Sequence, residues 1–300
     1  MSVATFISVV VPFHNRRDQV TRCIAALKAQ VLPSGMDFEI VAVDNNSTDG
    51  TGEAIAGGRV RIVRCDKPGP AAARNVGIAA ASSEIVAMID SDCVPAPVWL
   101  RNLVEPFEDP DVIAVGGRVL AWSVTCGVAF FAEFFGVLNQ RKYFDGNVLG
   151  FPPFLVTANV AYRKNALLRI GGFDESLRIG EDSDISWRLL ELGGKFAYSP
   201  DAVVRHAHRE TFRGMFDQAR DYGIGAAAVF AKHRDKMKRR VAVQWAEYTV
   251  LAAMPLLIPW KLLTGFGSFE RKFPLYEAIW RTGFTIGRLQ GSLRYKVLFL

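Results

Sequence analysis

The chain of 300 residues lacks several features that would assign it to simpler classes of protein. Its four cysteines, Cys23, Cys65, Cys93 and Cys126, are scattered, so neither a disulfide scaffold nor a zinc ribbon is expected and a reducing compartment is favoured. Only 22% of the residues are charged and 50% are hydrophobic, which excludes an intrinsically disordered protein. The first apolar run has no basic segment before it and is interrupted at Pro12, so no secretion signal is predicted.

Long apolar segments are also scarce. The unbroken stretch 248–260 has 13 residues, whereas a membrane-spanning helix needs about 20. Pro255 and Pro259 within it are expected to break or kink a helix. Residues 232–240, just before it, hold six Lys and Arg side chains. We therefore expect helices that lie in the cytosolic membrane interface, and a buried core helix or an oligomer helix is the alternative.

Charge is distributed unevenly along the chain. The formal charge is +6, but the residues from Arg205 onward carry a net +10 and the first 204 residues a net −4. A basic and apolar tail indicates an anionic membrane surface or a nucleic acid as its partner. The tail contains no recognisable nucleic-acid-binding module, so the membrane is favoured and nucleic-acid binding is not expected.

Strand-like and helix-like segments alternate through the first ninety residues. Short apolar runs at 6–11, 38–43, 60–63 and 85–89 are typical of buried strands, and segments with helical spacing, such as 17–30, separate them. This order predicts an α/β fold with a Rossmann-like, mostly parallel sheet and helices on both faces. Ligands of such sheets bind beyond the carboxyl ends of the strands, where polar clusters follow three of these runs.

Two groups of potential metal ligands stand out. Asp90 and Asp92 directly follow the fourth apolar run, where two carboxylates can share Mg²⁺ or Mn²⁺. A turn that caps the next helix is the alternative interpretation. His206 and His208 are two of the four histidines and follow a short apolar run at 202–205, so they are candidates for an imidazole ligand.

Three further polar segments are candidates for binding or catalysis. Asp44 ends the second apolar run, where a carboxylate can accept a hydrogen bond from a base or ribose, or simply close an Asx turn. Arg74 lies in an alanine-rich helix and can either meet a phosphate or remain solvated. Glu181 and Asp182 open an amphipathic segment, where they cap a helix or supply a general base, with Asp184 as a second candidate for the base.

Taken in order, these segments resemble glycosyltransferase family 2, the inverting nucleotide-sugar enzymes with the GT-A fold. The resemblance covers residues 6–225, and the matching segments are 9–15, 43–51, 73–77, 90–92, 171–175 and 181–182. It implies a GT-A catalytic domain over residues 1–225. Residues 226–300 then form a helical region that associates with a membrane or with a second copy. Many members have Asp-Asp-Gly-Ser where residues 44–47 are Asp-Asn-Asn-Ser, so the match at Asp44 is kept and the resemblance does not define the other contacts to the base.

The resemblance also implies a role for each matching residue. The nucleotide-sugar donor is expected to bind at Pro12, His14, Asn15, Asp44, Asn46, Arg74, Asp90 and Ser91. Mg²⁺ or Mn²⁺ is expected to bind at Asp92, Asp90 and His206, with His208 as the alternative histidine. The catalytic pair is expected to be Glu181 and Asp182, with Asp182 as the general base.

The implied reaction moves a sugar, with inversion, from a UDP- or GDP-sugar to a hydroxyl of a glycan or lipid-linked glycan. The expected location is cytoplasmic and peripheral at the inner face of the cell membrane, and a homo-oligomer remains open. A nucleotidyltransferase or a dinucleotide-dependent dehydrogenase is disfavoured, because no glycine-rich loop follows the first apolar run. A non-catalytic subunit that binds a nucleotide sugar within a membrane-associated assembly is the alternative function.

Overall fold

The computed structural model describes residues 6–124, 126–146, 148, 151–235, 241–242, 245–264 and 268–299. The chain forms two compact units. The first consists of the residues up to Trp122 together with Leu138–Ala207, and the second consists of Ser123–Val137 together with the residues from His208 onward. The short segment Ser123–Val137 therefore belongs to the same unit as the carboxyl-terminal third of the chain.

An eight-stranded sheet forms the centre of the first unit. Its strands are β1 (Phe6–Phe13), β2 (Asp37–Asp44), β3 (Val60–Arg64), β4 (Ile85–Ile89), β5 (Cys93–Pro95), β6 (Val112–Ala121), β7 (Asn159–Arg163) and β8 (Lys195–His206). Their order in the sheet is β3-β2-β1-β4-β7-β6-β8-β5. Four neighbouring pairs are parallel, and β4–β7, β6–β7 and β5–β8 are antiparallel. The mostly parallel sheet confirms the predicted α/β fold.

Helices cover both faces of this sheet. The helices before residue 208 are α1 (Arg17–Lys28), α2 (Thr51–Ile55), α3 (Pro70–Ala80), α4 (Trp99–Val104), α5 (Gly127–Phe135), α6 (Gln140–Phe144), α7 (Lys164–Arg169) and α8 (Glu181–Leu190), of which α5 belongs to the second unit. Successive side chains of a strand point to opposite faces, so Val9 and Val10 of β1 enter two separate apolar cores. Trp99 of α4 fills the first core and Ile185 of α8 the second.

The register of the strands brings the predicted polar clusters to one edge of the sheet. Strand β1 runs parallel to β2 and β4, and its last residue, Phe13, lies opposite Asp44. In β8, His206 lies opposite Cys93 of β5, directly after Asp92. Helix α3 packs so closely on β1 that a Cβ at Gly77 would collide with the Val10 side chain.

The second unit is helical. It contains α5, α9 (Phe212–His233), α10 (Trp245–Thr264) and α11 (Ser268–Tyr295), and a short pair of strands, β9 (Val241–Ala242) and β10 (Leu298–Phe299). Helices α9 and α11 approach closely because glycines face the neighbouring backbone: a Cβ at Gly287 would collide with the carbonyl oxygen of Arg220. The Phe131 ring of α5 packs 5.3 Å from Phe273 and 6.5 Å from Trp280 of α11, measured between ring centroids.

Helix α10 continues through Pro255 and Pro259, so the predicted break does not occur. Both prolines are exposed. A proline has no N–H to donate to the carbonyl four residues before it, and on an exposed face that carbonyl can accept from water instead. Across the described ranges, none of the helices combines the length and the hydropathy required to cross a membrane.

Candidate active site

The loop after β1 is fastened to the loop after β2. The Nδ1 atom of His14 lies 2.7 Å from the carbonyl oxygen of Asn45. The backbone N–H of Asn15 donates to Ser47 Oγ at 2.9 Å, and its side-chain oxygen accepts from the Thr48 N–H at 2.9 Å. Asn15 adopts a left-handed backbone, with φ at 57°. This conformation costs free energy and persists where neighbouring contacts hold it. The predicted nucleotide loop is thus rigidly built.

Polar residues after β2 form the floor of the same edge. Asp44 Oδ1 accepts from the Ser47 N–H at 2.8 Å, so the carboxylate closes the turn after β2. Asn46 also has a left-handed backbone, and its side chain donates to the Asp66 carbonyl at 3.1 Å. Pro12 lies inside β1, opposite Val43 of β2.

Asn45 was not among the predicted site residues, yet it organises this floor. Its side-chain nitrogen donates to the carbonyls of Cys65 and Lys67 at 3.0 and 2.7 Å, and its oxygen accepts from the Gly69 N–H at 2.8 Å. Gly69 immediately precedes α3, so one buried amide ties the end of β2 to the start of the helix that carries Arg74.

Arg74 is buried and bound by protein carboxylates. Its Nη2 atom donates to Asp90 Oδ1 at 3.0 Å and its Nη1 atom to Glu181 Oε1 at 2.8 Å. Burial opposes the charge, but the carboxylates of Asp90 and Glu181 outweigh it and raise the pKa of Arg74 above its ordinary value. The arginine therefore stays charged and joins the end of β4 to the start of α8, in place of the solvated side chain that was the alternative.

Asp92 and His206 meet as the sequence predicts. His206 Nε2 lies 3.3 Å from Asp92 Oδ1, and the other oxygen of Asp92 lies 3.2 Å from Nη1 of Arg16. One potential ligand atom from each of Asp92, Cys93 and His206 lies within 4.8 Å of the others. Burial and the nearby carboxylates raise the pKa of the Cys93 thiol well above its ordinary value, and a thiol is a softer ligand than Mg²⁺ or Mn²⁺ prefers.

The remaining pair, carboxylate and imidazole, fits Mn²⁺ well, with other coordination positions left for phosphate oxygens. Asp90, also predicted as a ligand, is instead held by Arg74 and is not in this group. His208 lies in the second unit, where its Nε2 atom is 3.5 Å from Glu133 Oε2. Ser91, between the two aspartates, is buried.

The two candidate bases at the start of α8 have different surroundings. Asp182 is half-buried, and both of its oxygens accept from Thr157: Oδ1 from the hydroxyl at 2.9 Å and Oδ2 from the N–H at 3.2 Å. Burial, followed by the charge of Glu181, raises the pKa of Asp182 to about 7. Asp184 is fully buried and pairs with Arg188 at 2.7 Å, one turn along the helix. Its geometry is that of a structural ion pair.

Asn75 and Thr157 are two more residues that the sequence prediction missed. The Asn75 side chain donates to the Phe173 carbonyl at 2.9 Å and to Glu175 Oε1 at 2.8 Å, and accepts from the Phe173 N–H at 2.8 Å. It therefore fastens α3 to the loop before α8. Asn75 lies beside Arg74 in a segment already singled out, so its position was a usable signal, whereas nothing around Thr157 indicated a role.

The family model of glycosyl transferase family 2 matches residues 8–171. The chain is similar to the pre-mycofactocin glycosyltransferase of Mycobacterium tuberculosis, with 32% identity over 241 residues. That match covers 77% of this chain and 48% of the relative, so the chain spans about half the length of that relative. The O-antigen chain rhamnosyltransferase RfbN of Salmonella typhimurium is 24% identical over 303 residues, which cover 91% of this chain and 96% of RfbN.

Among solved structures, the chain is similar to the mannosyltransferase PcManGT from Pyrobaculum calidifontis in complex with GDP-Man and Mn²⁺. The two share a TM-score of 0.68 and 21% identity, over 95% of this chain and 86% of PcManGT. At this identity the likeness concerns the fold, which is GT-A-like in both. With a family model that matches more than half of its length, the chain belongs to glycosyl transferase family 2.

Proposed function

We propose that this protein is an inverting, metal-dependent hexosyltransferase that moves a sugar from a nucleoside-diphosphate donor to a hydroxyl acceptor. The observation that carries the proposal is the position of Asp182. It is a carboxylate with a raised pKa, and its neighbour Glu181 is joined by the buried Arg74 to Asp90 at the end of β4. A base and a cation-binding pair on one edge of one sheet are the two parts that this reaction requires.

The donor nucleoside is assigned to the edge formed by the loops after β1 and β2, with Pro12, His14, Asn15, Asp44 and Asn46 as its contacts. The diphosphate is then assigned to the neighbourhood of Asp92 and His206. Asp90 and Ser91 also belong to the proposed donor site. Arg74 contributes by holding Asp90 and Glu181, because one terminal nitrogen donates to each of these carboxylates. The GDP-Man in the similar mannosyltransferase supports a GDP- or UDP-sugar as the donor class.

Asp92 and His206 are the residues that would hold Mn²⁺ or Mg²⁺. Such an ion supplies Lewis-acid stabilisation of the negative charge that develops on the leaving diphosphate. The protein contributes the rest. Asp182 accepts the proton of the acceptor hydroxyl while the hydroxyl oxygen attacks the anomeric carbon. The bond from that carbon to the diphosphate oxygen breaks in the same step. Attack from the face opposite the diphosphate inverts the anomeric centre.

For the acceptor we propose a glycan or a lipid-linked glycan at the cytosolic membrane face. Support comes from an apolar stripe on α10 formed by Trp245, Leu256, Trp260 and Leu263, which are 63–86% exposed. They lie along one side of the helix, and residues 248–264 contain no acidic side chain. The basic segment at 232–240 complements anionic lipid. The likeness to an O-antigen chain rhamnosyltransferase supports the same class of acceptor.

The experiment for the donor is a thermal-shift panel of nucleotide sugars with Mn²⁺ or Mg²⁺, followed by assay of nucleoside diphosphate release. One donor is expected to raise the melting temperature, and Asp92→Ala is expected to abolish the metal-dependent part. Asp111→Asn, an exposed aspartate paired with Lys195, is the control. Donor binding without product release over a full acceptor panel would instead favour the non-catalytic subunit.

Flotation with vesicles tests the membrane assignment separately. At low salt the full chain should float with anionic vesicles and stay behind with neutral ones. A protein that never floats, but forms dimers that Leu256→Ser or Leu263→Ser disrupts, would assign the stripe to a homo-oligomer.

A further inference from the structure

We propose that Thr157 is the positioning residue of Asp182 and fixes the orientation of its carboxylate through two hydrogen bonds. The inference rests on the proposed function, in which Asp182 accepts the proton of the acceptor. Thr157 itself is only 1% exposed, so it acts through Asp182 and not on the substrate. No matching segment of the family resemblance contains it.

The geometry of the contact is specific. The Thr157 hydroxyl donates to Oδ1 at 2.9 Å, and the Thr157 backbone N–H donates to Oδ2 at 3.2 Å. A carboxylate offers about four lone-pair positions, so one bond to each oxygen leaves one position on each for a substrate hydroxyl. Two donors from one residue also remove the rotation of the carboxylate about its Cβ–Cγ bond. The base is thus orientated while its capacity to accept a proton is preserved.

The segment that carries Thr157 is itself docked on α8 at a second point. The Leu155 N–H donates to Ser186 Oγ at 3.0 Å. Ser186 follows Asp182 by four residues, so both lie on one face of α8, and Leu155 precedes Thr157 by two residues. The two contacts therefore hold the segment against α8 at two points one helical turn apart.

The same segment leads into β7 and so connects the base to the other aspartates. Strand β7 begins at Asn159, which lies opposite Ile89, the last residue of β4. Asp90 follows Ile89 directly. Thr157 is therefore two residues from a position that is paired in the sheet with the strand that bears Asp90. The backbone pairing of β7 with β4 therefore helps to set the distance between Asp182 and the end of β4, together with the Arg74 side chain that joins Asp90 to Glu181.

The neutrality of Thr157 matters because charges surround Asp182. Glu181 lies on the same helix, Arg74 faces it from α3, Asp90 from the end of β4, and the buried Tyr162 from β7. A lysine or arginine in place of Thr157 would orient the carboxylate equally well but would strongly stabilise its ionised form, which weakens it as a base. A hydroxyl and an amide orient the carboxylate with a smaller effect of this kind.

The test compares Thr157→Val with Thr157→Ser in the full chain. Valine keeps the shape and removes the hydroxyl, so kcat is expected to fall about ten- to a hundredfold with the KM for donor unchanged. Loss of a hydrogen bond to the ionised carboxylate should also move the acid limb of the pH–rate profile up by about one pH unit. Serine retains the hydroxyl, so both the rate and the acid limb are expected to stay close to the wild type.

Two controls separate positioning from stability. Ser186→Ala removes the other hydrogen bond of the segment but keeps both donors to Asp182, so it should lower the melting temperature and move the acid limb much less than Thr157→Val does. Thr285→Val makes the same substitution at a buried threonine of α11 and should change neither. A wild-type rate and acid limb in Thr157→Val, or the same shift in Ser186→Ala, would overturn the proposal. A shifted acid limb in Thr157→Ser would do so even if the valine variant fails to fold.

The failure of this inference can be told apart from failure of the proposed function. If Asp182→Asn retains transfer, the base assignment itself is wrong. If Asp182→Asn is inactive while Thr157→Val behaves as the wild type, the base stands and only the positioning role is lost.

Discussion

The two acidic segments of the site, residues 90–92 and 181–184, look alike in sequence but differ in their partners. Asp90 and Asp92 both contact cationic or potentially cationic side chains, Arg74 for the first and Arg16 and His206 for the second. In the second segment Glu181 and Asp184 also pair with arginines, but Asp182 accepts only from Thr157 within the described part of the chain. Among the described residues of these two segments, Asp182 is the carboxylate that accepts no hydrogen bond from a cationic side chain, and it is the one that we propose as the base.

The substitution Asp182→Asn tests this difference between the two segments most directly. The amide cannot accept the proton of the acceptor, so the transfer rate should fall about 10²- to 10⁴-fold. Donor-dependent thermal stabilisation should remain, because Asp182 lies outside the donor contacts. Near-normal transfer by this variant, measured as nucleoside diphosphate release, would remove the distinction between Asp182 and its neighbours.

The pH dependence of the wild-type enzyme tests the same distinction without a substitution. The base must be ionised, and burial raises the pKa of Asp182 to about 7, so the rate should fall as the pH decreases through that value. Below that pH, kcat/KM should drop about tenfold for each pH unit. Above pH 8, kcat/KM should reach a plateau. An acid limb near pH 4, where an ordinary aspartate titrates, would contradict the special environment of Asp182.

Arg16→Ala addresses the partners of the first segment. Arg16 occupies one oxygen of Asp92, and its side chain is 41% exposed, so a bound cation has to displace a weak, screened ion pair. The variant is expected to bind Mn²⁺ up to about fivefold more tightly in titration calorimetry. Arg17→Ala, at the neighbouring position, is the matched control. Weaker Mn²⁺ binding in Arg16→Ala would mean that Arg16 supports the cation site.

Asp184→Asn should have the smallest effect on the reaction. Asp184 is 0% exposed and pairs with Arg188, so loss of its charge should lower the free energy of unfolding by about 1.5–3 kcal/mol. The folded variant should retain kcat within about twofold. A denaturant titration and a rate measurement on the same sample check both statements, and a large loss of kcat would reopen the choice of base.

The sequence predicted the part of the fold that local patterns determine. Runs of buried residues and the helical spacing between them were sufficient for β1 to β4, and parallel strands necessarily end at one edge. For this reason the sequence placed Asp44, Asp90 and Asp92 at that edge. The neighbours of β6, β7 and β8 could not be found in the same way, because pairing between segments that are distant in the chain, such as β4 with β7 or β6 with β8, leaves no signature in a single sequence.

The partners of the site residues were also beyond sequence reasoning. Arg74 was expected to bind phosphate or stay solvated, and the structure shows it buried between Asp90 and Glu181, two carboxylates that are distant from it in the chain. Asp182 and Asp184 could not be ranked from their spacing. Helix α10 continued through Pro255 and Pro259, although local propensity favours a break there.

The place of α5 in the chain has a consequence for synthesis. Its aromatic side chains, Phe131 among them, pack against Phe273 and Trp280, which the ribosome adds some 140 residues later. Until Phe273 and Trp280 are added, the aromatic side chains of α5 lack these partners, although all strands of the eight-stranded sheet are synthesised before α11. A nascent chain that stalls before α11 is completed therefore exposes phenylalanines that invite aggregation, and quality-control factors have a defined segment to bind.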